Sequence, residues 1–216
     1  MAAQPTIFIV DDDEAVRGSL EVLLESHGFR VETFDSAGTF LESEAPSRVG
    51  CLIADIRLPG MDGLALQEEL VRRGTRLRVI VVTGFGDVPL AVRAMKSGAI
   101  DFLEKPYDEN VLLASVRRAL EAARVASQAA DAVHEVEMRF ASLTERERQV
   151  LDLLAAGRPN KVIAYELDIS PRTVEIHRAR VMEKMGARNL AELVRMVVAA
   201  DVGSDTSPEP GSQFDG

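Results

Sequence analysis

Five polar side chains at the ends of short apolar runs could together carry out phosphoryl chemistry. They are Asp11, Asp12, Asp55, Thr83 and Lys105. Crowded carboxylates repel one another, and a hard divalent cation such as Mg²⁺ or Mn²⁺, which takes oxygen ligands, relieves that repulsion. A carboxylate can accept a phosphoryl group when a metal, an ammonium and a hydroxyl hold the transferred oxygens. The residue types therefore predict a phosphoacceptor at Asp55 with a metal site beside it.

Each of these residues also has a simpler explanation, because aspartate after a strand is common in turns. Such residues at four strand ends at once favour a single site over four unrelated turns. Asp13 extends the acidic run, but the strand register makes it the opening of the next helix, where an acid favours the helix dipole. We expect Asp13 to be a cap-region residue.

The order of elements explains how residues far apart in the sequence would meet. Short apolar runs alternate with segments of helical period in the first part of the chain, which is typical of βα units around a parallel sheet. In the flavodoxin-like strand order 2-1-3-4-5, the first and third strands are neighbours, and their carboxyl ends converge on one shallow pocket. The predicted strands are Thr6–Val10, Val31–Phe34, Cys51–Ala54, Arg78–Val82 and Ile100–Leu103.

Helical periodicity fills the segments between these strands. After the first strand, Val16, Leu20, Leu23 and Leu24 share one helical face, and Gly28 follows as a left-handed stop. Further helices are expected over Ser36–Glu42, Leu64–Arg73, Val88–Ser97 and Glu109–Glu121. The last could continue to Met138 as a semi-rigid spacer, because the stretch is Ala-rich and lacks Gly and Pro. Four short helices are predicted beyond it: Thr144–Ala155, Asn160–Leu167, Pro171–Met185 and Leu190–Ala200.

The chain is therefore predicted to hold an α/β flavodoxin-like (βα)5 domain over residues 1–122 and an all-α four-helix domain over residues 142–203. A helical linker over residues 123–141 would connect them. Residues 204–216 are rich in Ser, Pro, Gly and Asp and lack apolar periodicity, which predicts a disordered tail.

Bulk composition limits the class of protein. The 216 residues are 46% apolar and 28% charged, which is typical of a soluble globular chain. No apolar run approaches the ~18 residues of a membrane span, and the N-terminus lacks a secretion signal, so we expect a cytoplasmic protein without a membrane partner. The single cysteine, Cys51, cannot form an intrachain disulfide and is expected to be a small buried hydrophobe.

The net charge of −10 is unevenly distributed. Residues 1–141 carry 15 Lys and Arg against 23 Asp and Glu, whereas residues 142–200 carry 10 against 8. The acidity therefore belongs to the first domain, and the average over the chain hides a slightly basic second domain.

The acidic pocket lies within motifs that resemble the two-component receiver domain over residues 5 to about 122. These motifs are IVDD at 9–12, ADIRLPGMDG at 54–63, VTG at 82–84 and FLEKP at 102–106. The run GFGDVP at 84–89 and the Glu-Lys-Pro ending resemble the FixJ branch of transcriptional regulators. One position departs from that branch, because Phe85 stands where a histidine is usual. Phe85 would either shield the acyl phosphate from water or anchor the loop by packing under it.

The resemblance implies a role for each residue of the pocket. Asp55 would take phosphate from the phosphohistidine of a sensor histidine kinase. Asp12 would bind Mg²⁺ directly and Asp11 through water, and the Arg57 carbonyl would complete the metal shell. The Lys105–Pro106 bond would be cis.

A conformational switch would follow phosphorylation. Thr83 would move toward the phosphoryl oxygens, and Phe102 would fill the space it leaves, although an ordinary core role for Phe102 explains its periodicity equally well. The helix Val88–Ser97 and the fifth strand would then change their outer face, and two copies of this face would form a homodimer. The candidate contacts are Val92, Lys96 and Ile100. Val92 has core packing as its alternative.

The C-terminal segment has the capping and turn signals of a helix-turn-helix. Thr144 and Glu147 form a capping box, and Ser170 with Pro171 opens a later helix after a tight turn. In that helix Val174, Arg178, Val181 and Met185 form the stripe expected to face the core, so the opposite face would lie in the major groove of DNA. Basic helices can also be ordinary solvated faces.

The detailed pattern resembles the LuxR/NarL/FixJ-type helix-turn-helix over residues 142 to about 200. The motifs that carry it are LTERERQVL at 143–151, PNKVIA at 159–164 and SPRTVEIH at 170–177. Promoter DNA would be the ligand, and RNA polymerase is a further candidate partner. Base edges would be read by Glu175, Ile176 and Ala179, and the DNA backbone would be contacted by Lys161, Thr173, His177, Arg178, Arg180 and Lys184.

Two rival functions make different demands on the sequence. A phosphotransferase or phosphatase with an aspartyl nucleophile would want a second acid two residues after Asp55, where this chain has Arg57. A ligand-sensing regulator with the same DNA module would lack the Asp, Thr and Lys set. We therefore expect a response regulator that is not an enzyme, beyond Mg²⁺-dependent self-phosphorylation and slow self-dephosphorylation.

Overall fold

The structure is a computed structural model that describes residues 5–84 and 88–204, with side chains up to residue 198. The chain divides into two compact units, one up to residue 129 and the other from residue 130. This division falls inside the segment predicted to be a linker. None of the described helices combines the length and the apolar character that a bilayer crossing requires.

A five-stranded parallel sheet with the order β2-β1-β3-β4-β5 forms the centre of the first unit, which confirms the flavodoxin-like prediction. The strand β1 has its predicted bounds, and each of the other strands differs by one residue at one or both ends, where pairing frays. The strands are β1 Thr6–Val10, β2 Arg30–Phe34, β3 Gly50–Asp55, β4 Leu77–Thr83 and β5 Asp101–Glu104.

Helices connect successive strands and cover both faces of the sheet. They are α1 Glu14–Ser26, α2 Ala37–Glu42, α3 Gly63–Arg72, α4 Val88–Lys96 and α5 Glu109–Ala141. A short 3-10 helix over Ala45–Ser47, which the sequence pattern did not predict, precedes β3. The helix α5 is continuous for 33 residues, so the Ala-rich stretch is helical throughout, as its helix formers favour.

Alternate residues of β1 enter two separate cores, because successive side chains of a strand point to opposite faces. Phe8 and Val10 pack with residues of α2, α3 and α4, whereas Ile7 and Ile9 pack with residues of α1 and α5. With both faces covered, all six residues of β3 are buried. Cys51 is one of them, and burial raises the pKa of its thiol, as expected for a small core hydrophobe.

Four helices follow in the second unit: α6 Glu145–Ala155, α7 Asn160–Glu166, α8 Pro171–Met185 and α9 Leu190–Ser204. The predicted capping box is present, since the Thr144 hydroxyl accepts from the Glu147 amide and the Glu147 carboxylate accepts from the Thr144 amide. The helix α9 extends four residues past its predicted end. Ser204 is therefore helical rather than part of the tail, and residues 205–216 lie outside the described residues.

The core of this unit uses the predicted stripe of α8. Val174, Val181 and Met185 are completely buried, and Arg178 is half-buried at the edge of the same stripe. At the C-terminus of α8, Gly186 takes the left-handed conformation with φ of 66°, which glycine adopts without steric penalty.

Candidate functional site

The carboxyl edge of the sheet gathers the predicted acidic residues. Asp11 directly follows β1, and Asp55 ends β3. Because β1 and β3 are paired with Val10 beside Ala54, the next residues of both strands meet. Carboxylate oxygens of Asp11, Asp12 and Asp55 consequently lie within 4.8 Å of one another.

Lys105 closes this pocket from the end of β5. Its Nζ lies 2.7 Å from Asp11 Oδ2 and 2.8 Å from Asp55 Oδ2. Burial by itself lowers the pKa of the Lys105 ammonium, but hydrogen bonds and charge attraction to Asp11 and Asp55 together outweigh burial and leave the pKa raised. The ammonium therefore stays protonated at neutral pH and can neutralise an anionic group bound in the pocket. The peptide bond from Lys105 to Pro106 is cis.

The donor set of the pocket fits a hard divalent cation. Its grouped ligand atoms are carboxylate oxygens, with Asp12 exposed and both Asp11 and Asp55 buried, and Lys105 supplies one positive charge against three carboxylates. This excess of oxygen ligands and negative charge suits Mg²⁺ or Mn²⁺. The Arg57 amide donates to Asp55 Oδ1 at 3.2 Å, so the backbone of residue 57 adjoins the carboxylate.

The first turn of α1 fixes the position of Asp11. The Asp13 amide donates to Asp11 Oδ1 at 3.0 Å, and Arg17 Nη1 donates to the Asp11 carbonyl at 2.6 Å. Asp13 itself caps α1 by accepting from the amides of Ala15 and Val16, which confirms its predicted cap role. The start of α1 therefore helps to hold Asp11 in the pocket.

Gly63 is a site residue to which the sequence interpretation gave no role. A Cβ at this position would lie 2.2 Å from the Asp55 carbonyl oxygen, and the Gly63 amide donates to the Ile56 carbonyl at 3.0 Å. Only a residue without a side chain allows this close approach. The Asp62-Gly63 pair inside the quoted motif was the available signal, because Gly often marks such an approach.

Thr83 and Phe102 lie on neighbouring strands near the pocket. Thr83 ends β4 and is 1% exposed, and its carbonyl accepts from the Lys105 amide at 2.7 Å. Phe102 is opposite Val81 in the β4–β5 pairing and packs, half-buried, against the core on the α3 and α4 face. Phe85, for which the sequence predicts either a shield or an anchor, lies outside the described residues.

The candidate dimer residues have different surroundings. Val92 and Lys96 are exposed on α4, so core packing of Val92 is not observed. Ile100, which precedes β5, is half-buried against the core formed with α1 and α5. The sequence interpretation missed Val88 and Met95, which are 76% and 48% exposed. Together with Val92 they form an apolar stripe on α4, because positions i, i+4 and i+7 share one helical face.

A helix-turn-helix is built from α7, the turn Leu167–Ser170 and α8. Asp168 in the turn has a positive φ of 52°, which aspartate tolerates better than most residues. The Ser170 hydroxyl caps α8 by accepting from the Thr173 amide, and the Ser170 and Thr173 hydroxyls lie 2.7 Å apart. Pro171 occupies the first helical position, as predicted.

The outward face of this motif carries most of the predicted DNA-contacting residues. Glu175, Ile176, Ala179 and Arg180 are exposed on α8, and Lys161 is exposed near the start of α7. Arg172, Glu175, Ile176 and Ala179 line one shallow surface. Thr173, His177 and Arg178 are only partly exposed, and His177 Nδ1 is buried without a hydrogen-bond partner in the described part of the chain.

Lys184 has partners inside its own domain. Its ammonium lies 2.6 Å from Glu147 Oε2 and donates to the Ser142 carbonyl at 3.0 Å. Hydrogen bonds from Lys184 and from the Thr144 amide lower the pKa of Glu147 to about 2. A contact between Lys184 and a DNA phosphate therefore competes with a buried carboxylate.

Two arginines, one in α8 and one just after it, were not among the predicted contacts. Arg172 lies on the surface with Glu175 and Ile176, and Arg188 shares a neighbouring groove with Arg178 and Asn160. Arg172 stands within the quoted motif, but Arg188 follows α8 in a loop, where periodicity gives no signal. The guanidinium groups of Arg172, Arg178 and Arg188 thus lie on the two surfaces that Glu175 also lines.

Two known protein families match separate parts of the chain, one in each of its two compact units. Residues 7–117 match the response regulator receiver domain, and residues 141–197 match the bacterial regulatory proteins of the luxR family.

Relatives align along nearly the whole chain. The transcriptional regulatory protein FixJ of Azorhizobium caulinodans is 53% identical over 196 residues, covering 91% of this chain and 93% of that protein. FixJ of Rhizobium meliloti is 48% identical over 198 residues, covering 92% and 97%. Among solved structures, the response regulator StyR is similar with a TM-score of 0.85 at 47% identity, covering 91% of this chain and all of that chain.

The acidic pocket lies in the part of the chain that matches the receiver domain, and the helix-turn-helix lies in the part that matches the luxR family. FixJ proteins align with both parts together. The chain belongs to the FixJ-like response regulators, in which a receiver domain precedes a LuxR-type DNA-binding domain.

Proposed function

We propose that Asp55 accepts a phosphoryl group from the phosphohistidine of a sensor histidine kinase, and that this modification controls promoter binding. The bond from phosphorus to the histidine nitrogen breaks as a bond forms to a carboxylate oxygen of Asp55, and the electron pair remains on the nitrogen. The observation that carries this proposal is the Lys105 ammonium, which lies 2.8 Å from the Asp55 carboxylate.

Several groups around Asp55 have the chemistry that the transfer requires. The Lys105 ammonium would move from the free carboxylate to an oxygen of the phosphoryl group, and Thr83 would donate its hydroxyl to another. Asp11, Asp12, Asp55 and the Arg57 carbonyl would hold Mg²⁺ or Mn²⁺, which supplies positive charge to the transferring group. Self-phosphorylation from small phosphodonors and slow self-dephosphorylation use the same groups.

Phosphorylation is proposed to act through α4 and β5. A shift of Thr83 toward the phosphoryl oxygens would let Phe102 move inward and would change the outer face that carries Val92, Lys96 and Ile100. The apolar stripe on α4 gives such a face a reason to pair with a second copy, because pairing removes exposed apolar surface from water.

The dimer would bind promoter DNA in the cytoplasm, with RNA polymerase as a further partner. Paired half-sites would multiply the affinity of two small modules. Glu175, Ile176 and Ala179 would meet base edges. Phosphates would be contacted by Lys161, Thr173, His177, Arg178 and Arg180. Lys184, the remaining predicted contact, would reach a phosphate only if it left Glu147.

Labelling with acetyl phosphate and Mg²⁺ tests the acceptor. We expect Asp55→Asn to abolish labelling, because the amide cannot form the acyl phosphate. Asp35→Asn is the matched control, since Asp35 follows β2 at the same sheet edge but stands outside the carboxylate cluster. Undiminished labelling of the Asp55→Asn protein would contradict the proposal.

A further inference from the structure

The N-terminal half of α8 presents a small surface whose chemistry is unusual for a DNA-binding face. Arg172, Glu175, Ile176 and Ala179 line it at positions i, i+3, i+4 and i+7, so one helical face carries all four. Each of them is exposed. Residues near the N-terminus of a recognition helix are those that reach base edges.

Glu175 is the residue of this surface that needs an explanation. Arg172 and Arg178 stand three positions before and after it, yet neither forms an ion pair with it in the structure. Its carboxylate has no hydrogen bond or ion pair with any other described residue. The neighbouring groove, which Glu175 also lines, holds Arg178 and Arg188. An exposed carboxylate thus stands among arginines without being paired to them.

The phosphates of DNA repel a carboxylate on a surface that approaches them. A hydrogen bond that the carboxylate accepts from a base offsets this repulsion. Two bases offer an amino donor in the major groove, cytosine through N4 and adenine through N6. At adenine the acceptor N7 adjoins N6 and would repel the second carboxylate oxygen. Cytosine has no acceptor beside N4 on its own major-groove edge, and so it is the better partner.

We propose that Glu175 selects a cytosine in each half-site of the operator by accepting a hydrogen bond from its N4 amino group. The inference rests on the proposed DNA contacts of α8 and adds the identity of the base that is read. Ile176, which is 47% exposed, and Ala179 provide an apolar margin beside the carboxylate. Exclusion of water by this margin strengthens the hydrogen bond to the base.

Binding-site selection on duplexes with a randomised centre tests this assignment with the full chain, acetyl phosphate and Mg²⁺. We expect the unmodified protein to select cytosine at one position of each half-site, and replacement of that base to weaken binding about 5- to 150-fold. Glu175→Gln should change the selected base from cytosine to adenine, because an amide can both accept from N6 and donate to N7.

Two further variants make the outcomes separable. Glu183→Gln removes the same charge from an exposed position on α8 outside this surface, and it should leave the selected sequence unchanged. Glu175→Ala should bind DNA with an undiminished salt dependence but without the preference at that position. Selection of an unchanged sequence by both Glu175 variants would overturn the inference. Failure of the unmodified protein to bind any duplex would instead overturn the proposed DNA contacts.

Discussion

Lys184 on α8 and Glu147 on α6 form an ion pair in which 2.6 Å separate the ammonium nitrogen from Oε2. The carboxylate is 3% exposed and also accepts from the Thr144 amide at 2.9 Å. The pair therefore joins the capping box of α6 to the last turn of α8. Hydrogen bonds from Lys184 and Thr144 lower the pKa of Glu147 from its ordinary 4.5 to about 2.

We expect acid to destabilise the second unit through Glu147. A carboxyl whose pKa falls on folding adds stability above its unfolded pKa, and that stability is lost as the pH falls from 4.5 to about 2. Urea unfolding followed by amide signals of α6 and α8 measures the effect, with Glu147→Gln as the variant that does not titrate. The stability difference between the two proteins should be constant near neutral pH and should shrink below pH 4.5. Parallel pH curves would contradict this prediction.

The same ion pair predicts that two lysines of the DNA-binding unit behave differently. Lys161 is exposed and has no ion pair among the described residues, whereas Lys184 is paired with Glu147. We expect Lys161→Ala to reduce the slope of log affinity against log salt by about 0.9, the value of one lost phosphate contact. Lys184→Ala should leave that slope nearly unchanged and should lower the stability of the unit, because it leaves Glu147 buried without its cation.

Titrations of mixed-sequence duplex DNA at several salt concentrations separate these effects. Non-specific binding is sufficient for the measurement, because phosphate contacts dominate it. Equal slope losses for the two variants would show that Lys184 leaves Glu147 when DNA binds.

The acidic pocket could be predicted because its geometry follows from topology. Parallel strands place their carboxyl ends at one sheet edge, so Asp11, Asp55 and Lys105 needed only correct strand assignment and strand order to be brought together. The capping residues Asp13, Thr144 and Ser170 were predictable for a local reason, since a cap bonds to amides within three residues.

The features that were missed depend on packing between distant segments. The bond from Lys184 to Glu147 spans 37 residues, whereas the family resemblance implied that Lys184 contacts DNA. The need for glycine at position 63 arises because the start of α3 passes against the Asp55 backbone. Exposure of Val88 and Met95 on α4 likewise reflects which helical face meets the sheet, which a short apolar-rich helix does not specify by itself.

We expect Gly63→Ala to slow the phosphorylation of Asp55, although it replaces none of the side chains proposed to react or to bind the phosphoryl group. Its Cβ would lie 2.2 Å from the Asp55 carbonyl oxygen, so α3 or the end of β3 must shift, at a cost of about 1–3 kcal/mol in stability. The expected result is slower labelling by acetyl phosphate together with a lower midpoint of thermal unfolding. Gly18→Ala is the matched control, because a Cβ on that α1 residue meets nothing within 4 Å and should slightly stabilise the helix.

A normal labelling rate in Gly63→Ala protein would mean that the backbone of α3 absorbs the added methyl group. The position of Asp55 would then not depend on glycine at this contact. Comparison with Gly18→Ala separates this outcome from a general effect of alanine on the fold.

The exposed stripe on α4 predicts how phosphorylation would change the mass of the protein in solution. Val88, Val92 and Met95 are 76%, 46% and 48% exposed, and none of them contributes to the carboxylate pocket. We expect sedimentation to show a monomer without phosphodonor and a dimer with it. Val92→Glu should prevent the dimer, because pairing would bury an unpaired charge, while Asp55 is labelled at the normal rate.

A matched substitution distinguishes this interface from a general effect of added charge. Val71 on α3 is 65% exposed, and Val71→Glu should dimerise as the unmodified protein does. If Val92→Glu also dimerises normally when phosphorylated, the interface lies elsewhere and Val92 has no part in it. If the unmodified protein keeps one mass at all levels of phosphorylation, phosphate controls DNA binding without dimerisation, and the proposed pairing of half-sites is wrong.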